Sequence, residues 1–201
     1  MIKNYNSQIP ARKEIAILRR KIISWFKNNG RIYPWRKTED PFRILIAEMM
    51  LRRTKADQVV SVYEQFCRKF PDVKKLARAS QEDVEKILYP LGLKWRVPAF
   101  IMMAREVVEK YHSRIPDKRE ELIALPGVGE YVAGAVLSLA YRRKEWLVDS
   151  NIVRIFKRYF GIKTTKEGRR DKHVIEIAKF YASGKDPRMA IMGILDITAL
   201  V

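Results

Sequence analysis

The stretch Leu125-Pro126-Gly127-Val128-Gly129-Glu130-Tyr131 reads as a tight glycine-rich turn that opens a helix. Two glycines let the backbone turn through conformations closed to other residues, and let another backbone come close. The helix that follows presents unpaired amides and the positive end of its dipole, which favour an anion. A phosphate could therefore bind the amides from Gly127 to Glu130 with no basic side chain. The plainer reading is an ordinary helix–helix turn, although the small residues Ala133, Gly134, Ala135, Ser138 and Ala140 allow two helices to pack closely. Eighteen residues after Tyr131 stands Asp149, in Val148-Asp149-Ser150-Asn151. An aspartate before a helix is a common N-cap, yet a cap keeps a second oxygen to offer a ligand. A phosphate grip followed by a carboxylate points to chemistry on a nucleotide.

Glu48 lies in Ile44-Leu45-Ile46-Ala47-Glu48-Met49-Met50-Leu51, a strongly apolar run. It is either on the one exposed face or buried with a partner, and a buried carboxylate suits general acid–base work. Arg52-Arg53-Thr54-Lys55 follows at the helix end. It is a solvated charge run, or its arginines reach phosphates or the edge of a guanine. Trp35 fits a core position better than a base-stacking platform, and neither His112 nor His173 has ligand spacing.

Composition narrows the partner. Lys plus Arg total 41 against 23 Asp plus Glu, a net charge of +18. Such an excess favours nucleic acid, because phosphate neutralisation with counterion release dominates affinity for it. A membrane surface and an inert basic face are the weaker alternatives. The single cysteine, Cys67, excludes an intrachain disulfide and a cysteine-ligated metal site, and reads as a buried core thiol. No apolar run is long enough to cross a membrane, and the opening Met1-Ile2-Lys3-Asn4-Tyr5-Asn6 has no signal-peptide core. The expectation is a cytoplasmic, prokaryotic protein, with few Gln and many Lys, Arg and Ile fitting a thermophile.

Almost every segment has helical period, and no alternating strand run appears. Ile15, Leu18, Ile22, Ile23 and Phe26 mark a first helix, ended by Asn28-Asn29-Gly30. A loop is expected over Arg31 to Pro41. Further helices are expected over 42–51, 56–70, 73–79, 81–89 with Ser80 as cap, 98–111, 117–125, 130–141, 150–160, 171–182 and 188–200. The fold class is all-α.

Together these segments resemble the helix-hairpin-helix DNA glycosylases of the endonuclease III and adenine mismatch glycosylase superfamily, from about Asn29 onward. Six motifs in order carry the likeness: Pro34-Trp35-Arg36, Asp40-Pro41-Phe42, Ala47-Glu48-Met49-Met50-Leu51-Arg52-Arg53-Thr54, Leu91-Gly92-Leu93, Leu125 to Tyr131, and Val148 to Arg154. The resemblance implies a six-helix barrel lobe over 31–140 and a second helical lobe from 1–30 plus 141–201. It implies double-stranded DNA with a mismatched or damaged base as partner, a monomer, and no membrane. Asp149 falls on the catalytic aspartate, which stabilises the positive charge that develops on deoxyribose as the base leaves. Gly127, Val128, Gly129 and Glu130 fall on the phosphate grip, and the carbonyls of Leu125 and Val128 on a structural Na or K ion. Arg52, Arg53, Leu93 and Lys94 fall on DNA contacts, with Arg53 and Leu93 filling the gap left by the extruded base.

The resemblance also separates branches. The lyase branch has a lysine where this chain has Tyr131, so attack by water and a monofunctional enzyme are implied. Tyr131, Arg52-Arg53 and Leu93 are similar to the archaeal enzymes that remove thymine or uracil opposite guanine. Glu48 fits that branch and also the adenine-specific one. Removal of adenine opposite guanine or oxidised guanine is therefore the first alternative, and a non-catalytic DNA-binding module the second. Most relatives continue into four cysteines that hold an iron–sulfur cluster; this sequence ends at Val201 with one cysteine. A chain without that cluster, by nature or by truncation, is the expectation.

Overall fold

Short polar side chains start many of the helices. Asp40 accepts hydrogen bonds from the amides of Phe42 and Arg43 at 2.8 and 3.3 Å, Asp72 from Lys75 at 2.8 Å, and Ser80 from Asp83 at 3.1 Å. Pro41, Pro98 and Pro187 occupy first turns, where no amide partner is lost. The structure, a computed structural model, describes residues 9–200, and these are all-α with no strand among them. The opening Met1 to Asn6 stretch and Val201 lie outside the described residues. The helices are α1 Arg12–Asn29, α2 Pro41–Leu51, α3 Ala56–Lys69, α4 Val73–Ala77, α5 Gln81–Leu88 and α6 Val97–Lys110. They continue with α7 Arg119–Ala124, α8 Glu130–Leu139, α9 Ser150–Phe160, α10 Lys172–Ala182 and α11 Pro187–Ile197. The chain divides into two compact units, Ile32–Tyr141 and a second made from the residues before and after it.

In the Ile32–Tyr141 unit, α2 packs against α3 and α8, and α6 against α4 and α5. The α3 helix buries one face, Val59, Val62, Tyr63, Phe66 and Cys67, at the spacing its sequence shows. The α2 and α8 helices are different: Ile44 to Met50 and Val132 to Leu139 are buried on every side. The expected loop from Arg31 to Pro41 contains a 3-10 turn at Pro34–Arg36, and proline at its first position draws Pro41 into α2. Trp35 belongs to the core. Its ring stacks on Tyr33 at 4.8 Å and meets Tyr63 edge-on at 5.4 Å.

In the other unit, α1 packs on α10 and α11. The α1–α11 approach is close enough that a Cβ on Gly193 would lie 2.8 Å from Ile22 Cγ2. Asp196, fully buried on α11, accepts from the Arg31 amide at 2.8 Å and pairs with the Arg31 guanidinium at 2.8 Å. Asp171 caps α10 through His173 and Val174 and also accepts from Thr165 at 2.8 Å. Burial pushes the Asp171 carboxyl's pKa up, but the amides of Thr165, Val174 and His173 outweigh it and hold the pKa below its usual value.

Asp196 is the charged residue most enclosed in this unit, and removing it takes an acceptor from both the Arg31 amide and its guanidinium. Asp196→Ala is expected to lower stability by about 2–4 kcal/mol in urea unfolding followed by circular dichroism. A loss below about 0.5 kcal/mol, the ordinary range for a surface change, would contradict this role.

Candidate functional site

The α7 helix enters α8 through a tight hairpin. Leu125 leaves the helix in extended conformation, and its carbonyl accepts from the Val128 amide at 3.1 Å, closing a turn over Pro126 and Gly127. Gly127 has φ +78°, and a Cβ there would lie 3.0 Å from the Ala99 Cβ and 3.2 Å from Met49 Cε. Backbone conformation and neighbours both require glycine. Gly129 is another case. Its φ of −115° suits any residue, and a Cβ would meet nothing within 4 Å. It precedes α8 and supplies no side-chain cap, so open space leads to the first amides of that helix.

Two arginines brace this hairpin from α2 and the turn before α6. Arg52 Nη1 donates to the Gly127 carbonyl at 2.9 Å. Arg96 Nη1 donates to the carbonyls of Arg52 at 2.7 Å and Met49 at 3.3 Å, which α2 leaves open at its C-terminus. Burial lowers the Arg96 pKa from its usual value, and the positive charges of Arg52 and Arg53 lower it further. Arg53 is exposed with a left-handed backbone, φ +63°. On the far side of the hairpin, Arg119 Nη1 binds the Glu130 carboxylate at 2.8 Å and offsets a negative charge at the anion-favouring end of α8.

The carboxylates are held differently. Glu48 is 2 % exposed within α2, so the buried alternative applies. Asp149 caps α9, accepting from the Ile152 amide at 2.7 Å through Oδ1. Its Oδ2 faces the Asn151 side-chain amide at 3.4 Å, a long contact, whereas both oxygens of Asp171 accept backbone amides. The cap therefore leaves Asp149, which is half-buried, with an oxygen less engaged than that of a purely structural cap. Tyr131 is half-buried in the first turn of α8.

Leu93, expected to fill the gap left by an extruded base, does not face solvent here. It is 4 % exposed and packs inward, because left-handed Gly92 and the 3-10 turn Lys94–Arg96 rotate it into the core. Lys94 is exposed and pairs with Glu85 at 2.8 Å.

A profile described as HhH-GPD superfamily base excision DNA repair protein matches residues 46–183, which include Glu48, the hairpin and Asp149. The chain belongs to this family. It is 43 % identical over 155 residues to a thymine-DNA glycosylase of Aeropyrum pernix, covering 76 % of this chain and 70 % of that protein. It is 37 % identical over 200 residues to a thymine/uracil-DNA glycosylase of Pyrobaculum aerophilum, covering 96 % and 86 %. Its fold is similar to a solved thermostable thymine-DNA glycosylase, with a TM-score of 0.88 at 32 % identity over 94 % of this chain and 88 % of that one.

The iron–sulfur cluster of many relatives does not fit these residues, since four thiolates are needed and the one cysteine, Cys67, is buried in α3. Among the described residues no group of three or more His, Cys, Asp or Glu gathers to hold a metal ion. No described helix is long and apolar enough to cross a membrane. Sequence reasoning missed Arg96 and Arg119, whose roles depend on carbonyls and a carboxylate brought near by folding.

The two hairpin glycines are expected to respond differently to substitution. Gly127→Ala should cost about 1–3 kcal/mol of stability through left-handed strain and crowding of Ala99. Gly129→Ser should leave stability unchanged or raise it by a few tenths of a kcal/mol, roughly, since serine caps well. Equal losses in chemical denaturation for both variants would contradict the distinction.

Proposed function

We propose that this chain is a monofunctional DNA glycosylase that hydrolyses the N-glycosidic bond of thymine or uracil mispaired with guanine. The observation that carries the reading is Tyr131. It stands in the first turn of α8, directly after the hairpin, in a chain similar over 96 % of its length to a thymine/uracil-DNA glycosylase. A lyase would need an amine at that point.

The net charge of +18 draws the protein to duplex DNA, and the amides that begin α8 after Gly129 take a backbone phosphate. Arg52, Arg53 and Arg96 repel one another, and an arriving phosphate relieves that repulsion. The carbonyls of Leu125 and Val128 are neutral oxygen donors of the kind a sodium or potassium ion takes, and an ion there would add positive charge to the grip. Chemistry on the target base requires it to leave the helical stack.

As the bond from C1′ to the base nitrogen lengthens, its electron pair goes to the base and positive charge grows on the sugar. The Asp149 carboxylate stabilises that charge through the oxygen its capping role does not occupy. Water then bonds to C1′ and gives up a proton, and the base leaves protonated. Glu48 handles the proton by accepting it from water or by hydrogen-bonding the departing base. Tyr131 packs beside the base and cannot form a Schiff base, so the strand stays intact. We read the two units of the chain as the two lobes of the family, and the protein as a monomer acting in a prokaryotic cytoplasm. Adenine removal is the rival, since Glu48 serves it as well.

End-labelled duplexes carrying G·T, G·U or G·A pairs separate these readings. The expected result is base release from G·T and G·U, with strand breakage only after alkali. Release from G·A alone would overturn the substrate assignment, and breakage without alkali would overturn the monofunctional one. Asp149→Asn should slow single-turnover release by about 10²–10³-fold or more while duplex binding persists, the scale set by losing one preorganised electrostatic group. Gly129→Ser should bind duplex at least about tenfold more weakly, by loss of a charge-assisted phosphate contact. Retained affinity would count against the hairpin as the grip.

A further inference from the structure

Leu93, the side chain expected to fill the gap in the DNA, is buried, and the turn that follows it exposes a larger apolar side chain instead. Trp95 is 69 % exposed. The Arg96 guanidinium lies over its ring at 4.6 Å, and that guanidinium is itself buried and fixed by the Arg52 and Met49 carbonyls. Arg52 in turn holds the Gly127 carbonyl. A cation–π contact followed by a short chain of hydrogen bonds therefore links the indole to the hairpin, inside one unit of the fold. The cation beneath one face orients the ring and leaves the other open. An indole held in this way, next to Arg52, Arg53 and Lys94, suits a flat, electron-rich group attached to phosphates. A nucleobase in DNA has that chemistry.

We propose that Trp95 is the residue that stacks on a base of the bound duplex, with Arg96 as its positioning residue. This rests on the reading of the chain as a DNA glycosylase. When the target base leaves, a neighbour loses its stacking partner, and the indole replaces it. The contact is to a base face, so it favours no sequence and neutralises no phosphate.

The test uses the full chain and a duplex with a tetrahydrofuran abasic analogue opposite guanine, so no chemistry is needed. Trp95→Ala should weaken binding, measured by anisotropy, at least about tenfold, with an unchanged slope of affinity against salt. Trp95→Phe should bind within about threefold of wild type, since a ring remains to stack. Tryptophan emission should be quenched by the duplex in wild type and much less in Trp95→Phe. Trp95→Ala binding as tightly as wild type, or equal quenching in Trp95→Phe, would overturn the proposal. Should Trp95→Ala fail to fold, the quenching comparison with Trp95→Phe decides alone. Failure of the glycosylase reading would appear separately, as a wild-type protein that binds this duplex yet releases no base from any mispair.

Discussion

The left-handed turn at Gly127 is the constraint around which this unit of the fold is arranged. A residue with a Cβ there would adopt a strained left-handed backbone and crowd Ala99 of α6 and Met49 of α2. The hairpin lies this close to both helices most readily when position 127 is bare. That close approach lets Arg52, at the end of α2, reach the Gly127 carbonyl. It also brings the hairpin under the same brace that Arg96 applies to the α2 C-terminus. The hairpin is thus held at the Gly127 carbonyl by the Arg52 guanidinium, and a side chain at Gly129 would meet only open space. Separation of donors from acceptors is what makes a loop of ordinary residues into a site for an anion.

Electrostatics then divides the labour. The protein carries a large excess of positive charge, yet the groups assigned to chemistry are carboxylates and a phenol. Cations suit phosphates and would be of no help to a sugar that itself becomes positive in the transition state. The proposed mechanism takes the opposite charge from Asp149, which is oriented by its own helix, since one oxygen is committed to the Ile152 amide. Glu48 is enclosed by apolar neighbours on α2, which limits water around it and strengthens any hydrogen bond it makes.

Much of this was legible in the residues, for identifiable reasons. Some helix starts were visible because a capping side chain acts locally, as at Ser80 and Asp149. The buried face of α3 was visible because only one face is buried. Glu48 could not be placed, because α2 is enclosed on all sides and its sequence has no polar stripe to give the direction of solvent. The burial of Leu93 beside exposed Trp95 was hidden by a different cause. After left-handed Gly92, a 3-10 turn rotates successive side chains by about 120°, more than an α-helix does, so helical period does not give which apolar group faces inward. Arg96 belongs to no motif the residues display, and only the fold shows the two carbonyls it satisfies.

The central claim is that the hairpin amides, and not a basic side chain, seize the backbone beside the target nucleotide. A crystal structure with a duplex carrying an abasic analogue opposite guanine tests it most directly. The expected result is a phosphate oxygen at hydrogen-bond distance, about 2.7–3.2 Å, from the amides that open α8 after Gly129. A complex in which those amides face solvent while the duplex lies on other residues would contradict it.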